Sequence, residues 1–163
     1  MSERSCCEIT IGGELAAEHV PEFFGILSQY APPCPCALEE SSLHDYMGLY
    51  GQIEASCGKA RWGGMADLEE FCMKHCLPFL RLPISDAGGE EAWWVPGMVR
   101  MEHCLTKGGQ VYMREIHLRE ILDLLNEGKT DDAVAYIEGF LRPLPTVPPF
   151  GVKEDSMHTA TWE

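Results

Sequence analysis

The sequence predicts an α+β fold: a mostly antiparallel sheet covered on one face by helices, with a C-terminal αα-hairpin. Three observations carry that expectation. Short alternating runs separated by glycine turns dominate the first two thirds of the chain, one helical stripe over 65–76 interrupts them, and two helical patterns follow back to back after Met113. With 163 residues the chain has material for a single domain. Its expected parts are an α+β core over 1–113, a helical hairpin over 114–142 packed on that core, and a Pro-rich extended tail over 143–163.

Residues 8–13 (EITIGG) alternate polar and apolar and stop at a glycine pair, which predicts a first strand. Pro21 suits the first turn of a helix, where its missing N–H costs nothing. Phe23, Phe24, Ile26 and Leu27 supply that helix with an apolar face out to Tyr30. Residues 31–42, with Pro32, Pro33, Cys34, Pro35 and Cys36, cannot hold a helix or a ladder and read as a surface loop. A short helical segment through 43–49 and a second strand over 52–57 follow.

In the helix over 65–76, Leu68, Phe71, Cys72 and then His75 or Cys76 recur at three and four residues, and Pro78 stops it. Residues 79–84 and 91–95 flank DAGG (86–89) as a hairpin. Trp93 and Trp94, adjacent in its second strand, must point to opposite faces. A second hairpin spans 99–106 and 110–113 and turns at Lys107, Gly108 and Gly109. Val99, Met101, His103 and Leu105 alternate there with Arg100, Glu102, Cys104 and Thr106, so that one face packs and the other is wet.

Leu118, Ile121, Leu122 and Leu125 give the pattern of an amphipathic helix closed by Gly128. Thr130 is a good N-cap for the next helix, Asp131 and Asp132 complement its dipole, and Ala133, Ile137, Phe140 and Leu141 make its buried stripe. Pro143, Pro145, Pro148 and Pro149 force extended chain, and the final dozen residues are expected to be loosely held.

Charge is the strongest functional clue. Acids number 26 against 12 bases, a net charge of −14. Such a field disfavours direct contact with nucleic acid and with anionic membranes, and it favours basic partners. Acidity is also common among soluble proteins. Between Ser5 and Gly58 no lysine or arginine occurs, while Glu8, Glu14, Glu18, Glu22, Glu39, Glu40, Asp45 and Glu54 do. In a single helix Glu14, Glu18 and Glu22 would form one row of anions, but Pro21 interrupts its continuity. The N-terminus lacks a charged-then-apolar leader and no window is long enough to span a bilayer, so a cytoplasmic protein with eight reduced cysteines is expected.

Chemical motifs are sparse. Cys72 and Cys76, one turn apart with His75 between them, have metal-ligand spacing, yet the same spacing suits packing of buried thiols. Cys34 and Cys36 lack the spacing of a zinc knuckle or a redox pair. Residues 58–64 (GKARWGG) are no Walker loop, but Lys59 and Arg61 precede a helix N-terminus able to hold an anion. A tight strand-to-helix turn explains the same glycines. No catalytic signature is present, and neither a cofactor nor a metal is expected.

The segments ITIGG (9–13), KARWG (59–63), LEEFC (68–72), LPFLR (77–81) and VPGM (95–98) together resemble small uncharacterised acidic proteins of bacteriophages and mobile elements, over residues 8–100. The resemblance implies an inhibitor context but no activity. The functional expectation is therefore a non-enzymatic acidic protein that binds a basic nucleic-acid-handling or defence complex of a host, of anti-CRISPR or anti-restriction type and able to act as a DNA mimic. Its partner-binding residues would be Glu14, Glu18, Glu22, Glu39, Glu40, Asp45 and Trp94. The alternative is a small anion- or nucleotide-binding domain or enzyme using Lys59 and Arg61.

Overall fold

The structure, a computed structural model, describes residues 5–33, 42–60, 65–84 and 88–154. In chain order the elements are β1 (Ser5–Ile11), β2 (Gly13–Ala16), α1 (Val20–Leu27), β3 (Ile53–Ala60), α2 (Ala66–Lys74), β4 (Phe79–Pro83), β5 (Gly89–Trp94), β6 (Met101–Leu105), β7 (Val111–Tyr112), α3 (Glu115–Asn126), α4 (Thr130–Leu141) and β8 (Phe150–Lys153). The class is α+β, as the sequence predicts. The expected short helix after the Pro-rich loop is a 3-10 turn over Leu43–Tyr46.

Six strands form one sheet in the order β3-β1-β4-β5-β6-β7, with every pairing antiparallel. Side chains alternate across it. Ile9, Ile11, Ile53, Ala55 and Phe79 face α1 and α2, where they meet Phe23, Leu27, Leu68, Phe71 and Cys72 in one dry cluster. Phe23 stacks on Phe71 at 5.3 Å and on Phe150 at 5.5 Å.

Helices cover both faces of the sheet, not one. The register places Glu91, Trp93, Met101 and His103 on the face opposite Phe79 and Arg81. There α4 packs: Phe140 stacks on His103 at 5.0 Å, and Gly139 approaches so closely that a Cβ would lie 2.9 Å from the end of Met101. This second layer covers the face of β6 that the alternation predicts to pack; on the expected wet face Glu102 is exposed, but Cys104 is buried. His103 and Cys104 point in opposite directions and both are buried.

The C-terminal helices form where the sequence places them, but their stripes are not core. Of the α3 stripe only Ile121 is buried, and Leu118, Leu122 and Leu125 are exposed. In α4 Ala133 and Gly139 are buried and Phe140 half-buried, while Ile137 and Leu141 face outward. Thr130 lies inside α4; Lys129 takes the N-cap position and offers no side-chain cap. Gly128 ends the preceding turn at φ +75°, as its place after α3 requires.

The Pro-rich tail is tied down as far as Lys153. β8 runs parallel to β2, Gly13 N–H donates to Pro149 O at 3.1 Å, and Gln52 Nε2 donates to Val147 O at 2.8 Å. Prolines lack an N–H but keep their carbonyls, so an extended proline segment can still accept such bonds. Among the described residues no helix is long and apolar enough to cross a membrane.

Candidate interaction surface

Large apolar side chains of α3 and α4 stand exposed, with acids between them. Ile116, Leu118, Leu122 and Leu125 on α3, and Val134, Ile137 and Leu141 on α4, are exposed, Leu141 to 77 %. Seven acids lie among them (Glu115, Glu120, Asp123, Glu127, Asp131, Asp132 and Glu138) against two bases. Both bases are already paired: Arg119 Nε donates to Glu115 at 2.9 Å and Lys129 lies 2.7 Å from Glu127. An apolar patch of several large side chains is unusual on a soluble domain unless something covers it.

The two helices are held together by polar contacts at their inner seam. His117 Nδ1 lies 3.0 Å from the Tyr136 hydroxyl, which donates to Glu120. Partial burial and that bond to the Glu120 carboxylate push the Tyr136 hydroxyl up to about 12, so it remains a donor.

Beside this seam opens a cleft of about 550 Å³, walled by residues 97–102 and by α4, with Met98, Val99, Met101, Tyr136 and Phe140 in its lining. β7 is so short that it pairs only with Cys104 and Leu105 of β6, leaving Met101 to His103 without a strand partner on that side among the described residues. The far wall of the cleft is pinned by buried charge. Glu69 of α2 accepts from Arg81 Nε at 2.6 Å and from Arg100 Nε at 2.7 Å. Arg100 in turn donates to Glu102 at 2.8 Å. Two guanidinium groups and two carboxylates thus balance where α2 meets the sheet. Burial, then the neighbouring Glu102, pushes the Glu90 carboxyl up. A second buried pair, His103 Nδ1 to Glu91 at 3.0 Å, lies under α4.

Among the described acids singled out in the sequence, Glu18 and Glu22 meet at His19, while Glu14 and Asp45 have partners of their own. Glu14 is on β2 and pairs with Lys153 at 2.7 Å; Glu18 precedes α1 and lies 3.3 Å from His19 Nε2; Glu22 is on α1, 3.8 Å from Lys74. Asp45 accepts the Ser42 N–H at 2.7 Å and so serves its own turn. Glu39 and Glu40 lie outside the described residues. Trp94 is half-buried against the main core and donates its indole N–H to Met98 O at 2.9 Å, while Trp93 is buried on the other face.

The expected anion turn is not among the described residues. Arg61 and the side chain of Lys59 lie outside the described residues. The first turn of α2 already carries Asp67 and Glu69, and Asp67 accepts the Leu68 N–H at 2.8 Å.

Cys72 and Cys76 do not share a site. Cys72 sits in the core, where burial pushes its thiol up, whereas Cys76 is exposed in the turn beyond α2 with φ +57°. The buried Glu69 and Arg81 and the half-buried Arg100 escaped sequence reading because a lone charge on a helix or strand reads as its wet face. Their signal was faint: Glu69 and Arg81 each fall at the spacing of a packed position. No protein-family model, curated protein or solved structure matches the chain.

Proposed function

We propose that the chain is a non-enzymatic interaction protein that docks the outer face of α3 and α4 on a basic protein partner. One observation carries this reading: Leu118, Leu122 and Leu125 of α3 and Ile137 and Leu141 of α4 stand exposed among acids, and the two bases within those helices, Arg119 and Lys129, are already paired. Apolar side chains would supply contact area, and the acids would steer the encounter and reject anionic competitors. A nucleic-acid-handling complex is the partner class that the overall charge of −14 favours. The N-terminal acids are secondary here, because Glu14 and Glu22 already face Lys153 and Lys74.

The test is capture from cell lysate at low and at high salt, using three forms of the chain. Wild type should retain a basic partner at low salt and release it at high salt. Leu122→Asp combined with Leu141→Asp should lose it, and Glu14→Lys, Glu18→Lys and Glu22→Lys together should keep it. The reading fails if capture ignores both salt and the leucine change. It fails equally if light scattering finds a stable dimer of this chain that the leucine change disperses, since the patch would then serve self-association.

A further inference from the structure

At the end of the α1–α2 pair, away from the proposed docking face, three metal-ligating side chains converge. His19 immediately precedes α1, Glu22 sits in its first turn, and His75 caps the C-terminal end of α2. One ring nitrogen from each histidine and a carboxylate oxygen of Glu22 all lie within 4.8 Å of one another. His19 and Glu22 are three residues apart, so they project from one side of the helix. The Phe23–Phe71 stack fixes α1 against α2, and His75 packs on Phe71 at 4.2 Å and on His19 at 4.3 Å.

A second, independent observation points to a ligand. His75 Nε2 is enclosed yet has no hydrogen-bond partner among the described residues. An enclosed imidazole nitrogen without a partner loses its bond to water and gains nothing in return. Glu18, 3.3 Å from His19 Nε2, adds further negative charge beside the three donors.

We infer that His19, Glu22 and His75 form a binding site for a divalent transition-metal ion of the zinc class. Imidazole with carboxylate suits zinc far better than calcium or magnesium, which prefer all-oxygen shells. Donors around a tetrahedral zinc stand about 3.4 Å apart, given bonds near 2.1 Å. The exposed Glu22 and half-exposed His19 side chains are the ones free to close that separation. Three protein donors leave a fourth position for water or an outside ligand. Lys74, 3.8 Å from Glu22, is the competitor that the ion must displace.

The experiment uses the full chain, stripped of metal and kept reduced, titrated with Zn²⁺ against a fluorescent chelator and separately with Co²⁺ in the visible. Wild type should bind one equivalent that His19→Asn or His75→Asn abolishes and Glu22→Gln weakens at least about tenfold. Lys74→Met should bind as tightly or more tightly, and Cys76→Ser should be unchanged. The cobalt spectrum should lack a thiolate charge-transfer band. Glu22 is exposed, so its variant tests the site without threatening the fold. Wild-type affinity in the histidine and Glu22 variants, loss of the equivalent in Cys76→Ser, or a thiolate band would each overturn the assignment.

Discussion

The α1–α2 layer and the α3–α4 layer pack against opposite faces of the same sheet but by different means. In the first, Phe23, Leu27, Leu68 and Cys72 are wholly enclosed against Ile9, Ile11 and Phe79. In the second, contact rests on Ile121, Ala133, Gly139 and Phe140 with the His103–Glu91 pair, while most of the large apolar side chains remain outside. Both layers carry apolar residues at helical spacing. Periodicity thus tells that a helix forms, not what covers its stripe.

The sharpest way to break this comparison is a matched pair of truncations read by denaturant unfolding. Phe23→Ala removes a wholly buried ring from the α1–α2 layer and should cost about 3–5 kcal/mol, a large share of a domain's stability. Leu122→Ala, on the outer side of α3, should stay within about 0.5 kcal/mol. A cost above about 2 kcal/mol at Leu122 would mean that α3 is packed after all, and the layers would cease to differ.

Next in size is the charge cluster that joins α2 to the cleft wall. Glu69→Ala strips the buried Arg81 guanidinium of its carboxylate and should destabilise by about 3 kcal/mol. The double change Glu69→Met with Arg81→Met should recover most of that loss, because two apolar chains of similar volume replace a balanced pair. If the single change is harmless, the pair contributes no more than an exposed one, and the cleft wall is held by packing alone.

Much of the fold was legible because its signals are local. The glycine pair after Ile11, Pro21 in the first turn of α1, the stripe Leu68, Phe71 and Cys72, and Gly128 beyond α3 each fix one element through neighbours in sequence. What stayed hidden depends on distant partners. No local pattern says that β8 will lie parallel to β2, because proline carbonyls accept bonds as well as any others. The alternation in β6 marks the His103 face for packing, but it says neither that α4 supplies the cover nor that Cys104, on the expected wet face, is buried. The candidate surface was half legible: the stripes were readable, but their exposure was not. His75 was noticed for its spacing to two cysteines, whereas its neighbours in space are His19 and Glu22, more than fifty residues away.

The smallest effect expected concerns Glu54 on β3, in the sheet half served by α1 and α2. Partial burial, then repulsion from Glu8, pushes its carboxyl up from the ordinary value near 4.5. The folded state therefore holds this proton more firmly than the unfolded chain does. Its contribution is most favourable below the ordinary value and is lost as pH rises through the folded value. Glu54→Gln removes the charge, so the variant should match wild type near pH 4 and gain a few tenths of a kcal/mol by pH 7, after allowing for solvent screening. Glu8→Gln should act in the same direction, since Glu8 supplies the repulsion. Denaturation midpoints of the three chains across that range decide it: a variant whose advantage shrinks as pH rises would show that the Glu54 carboxylate is favourably held. The half of the sheet that packs most tightly would then tolerate the charge that it is here expected to resist.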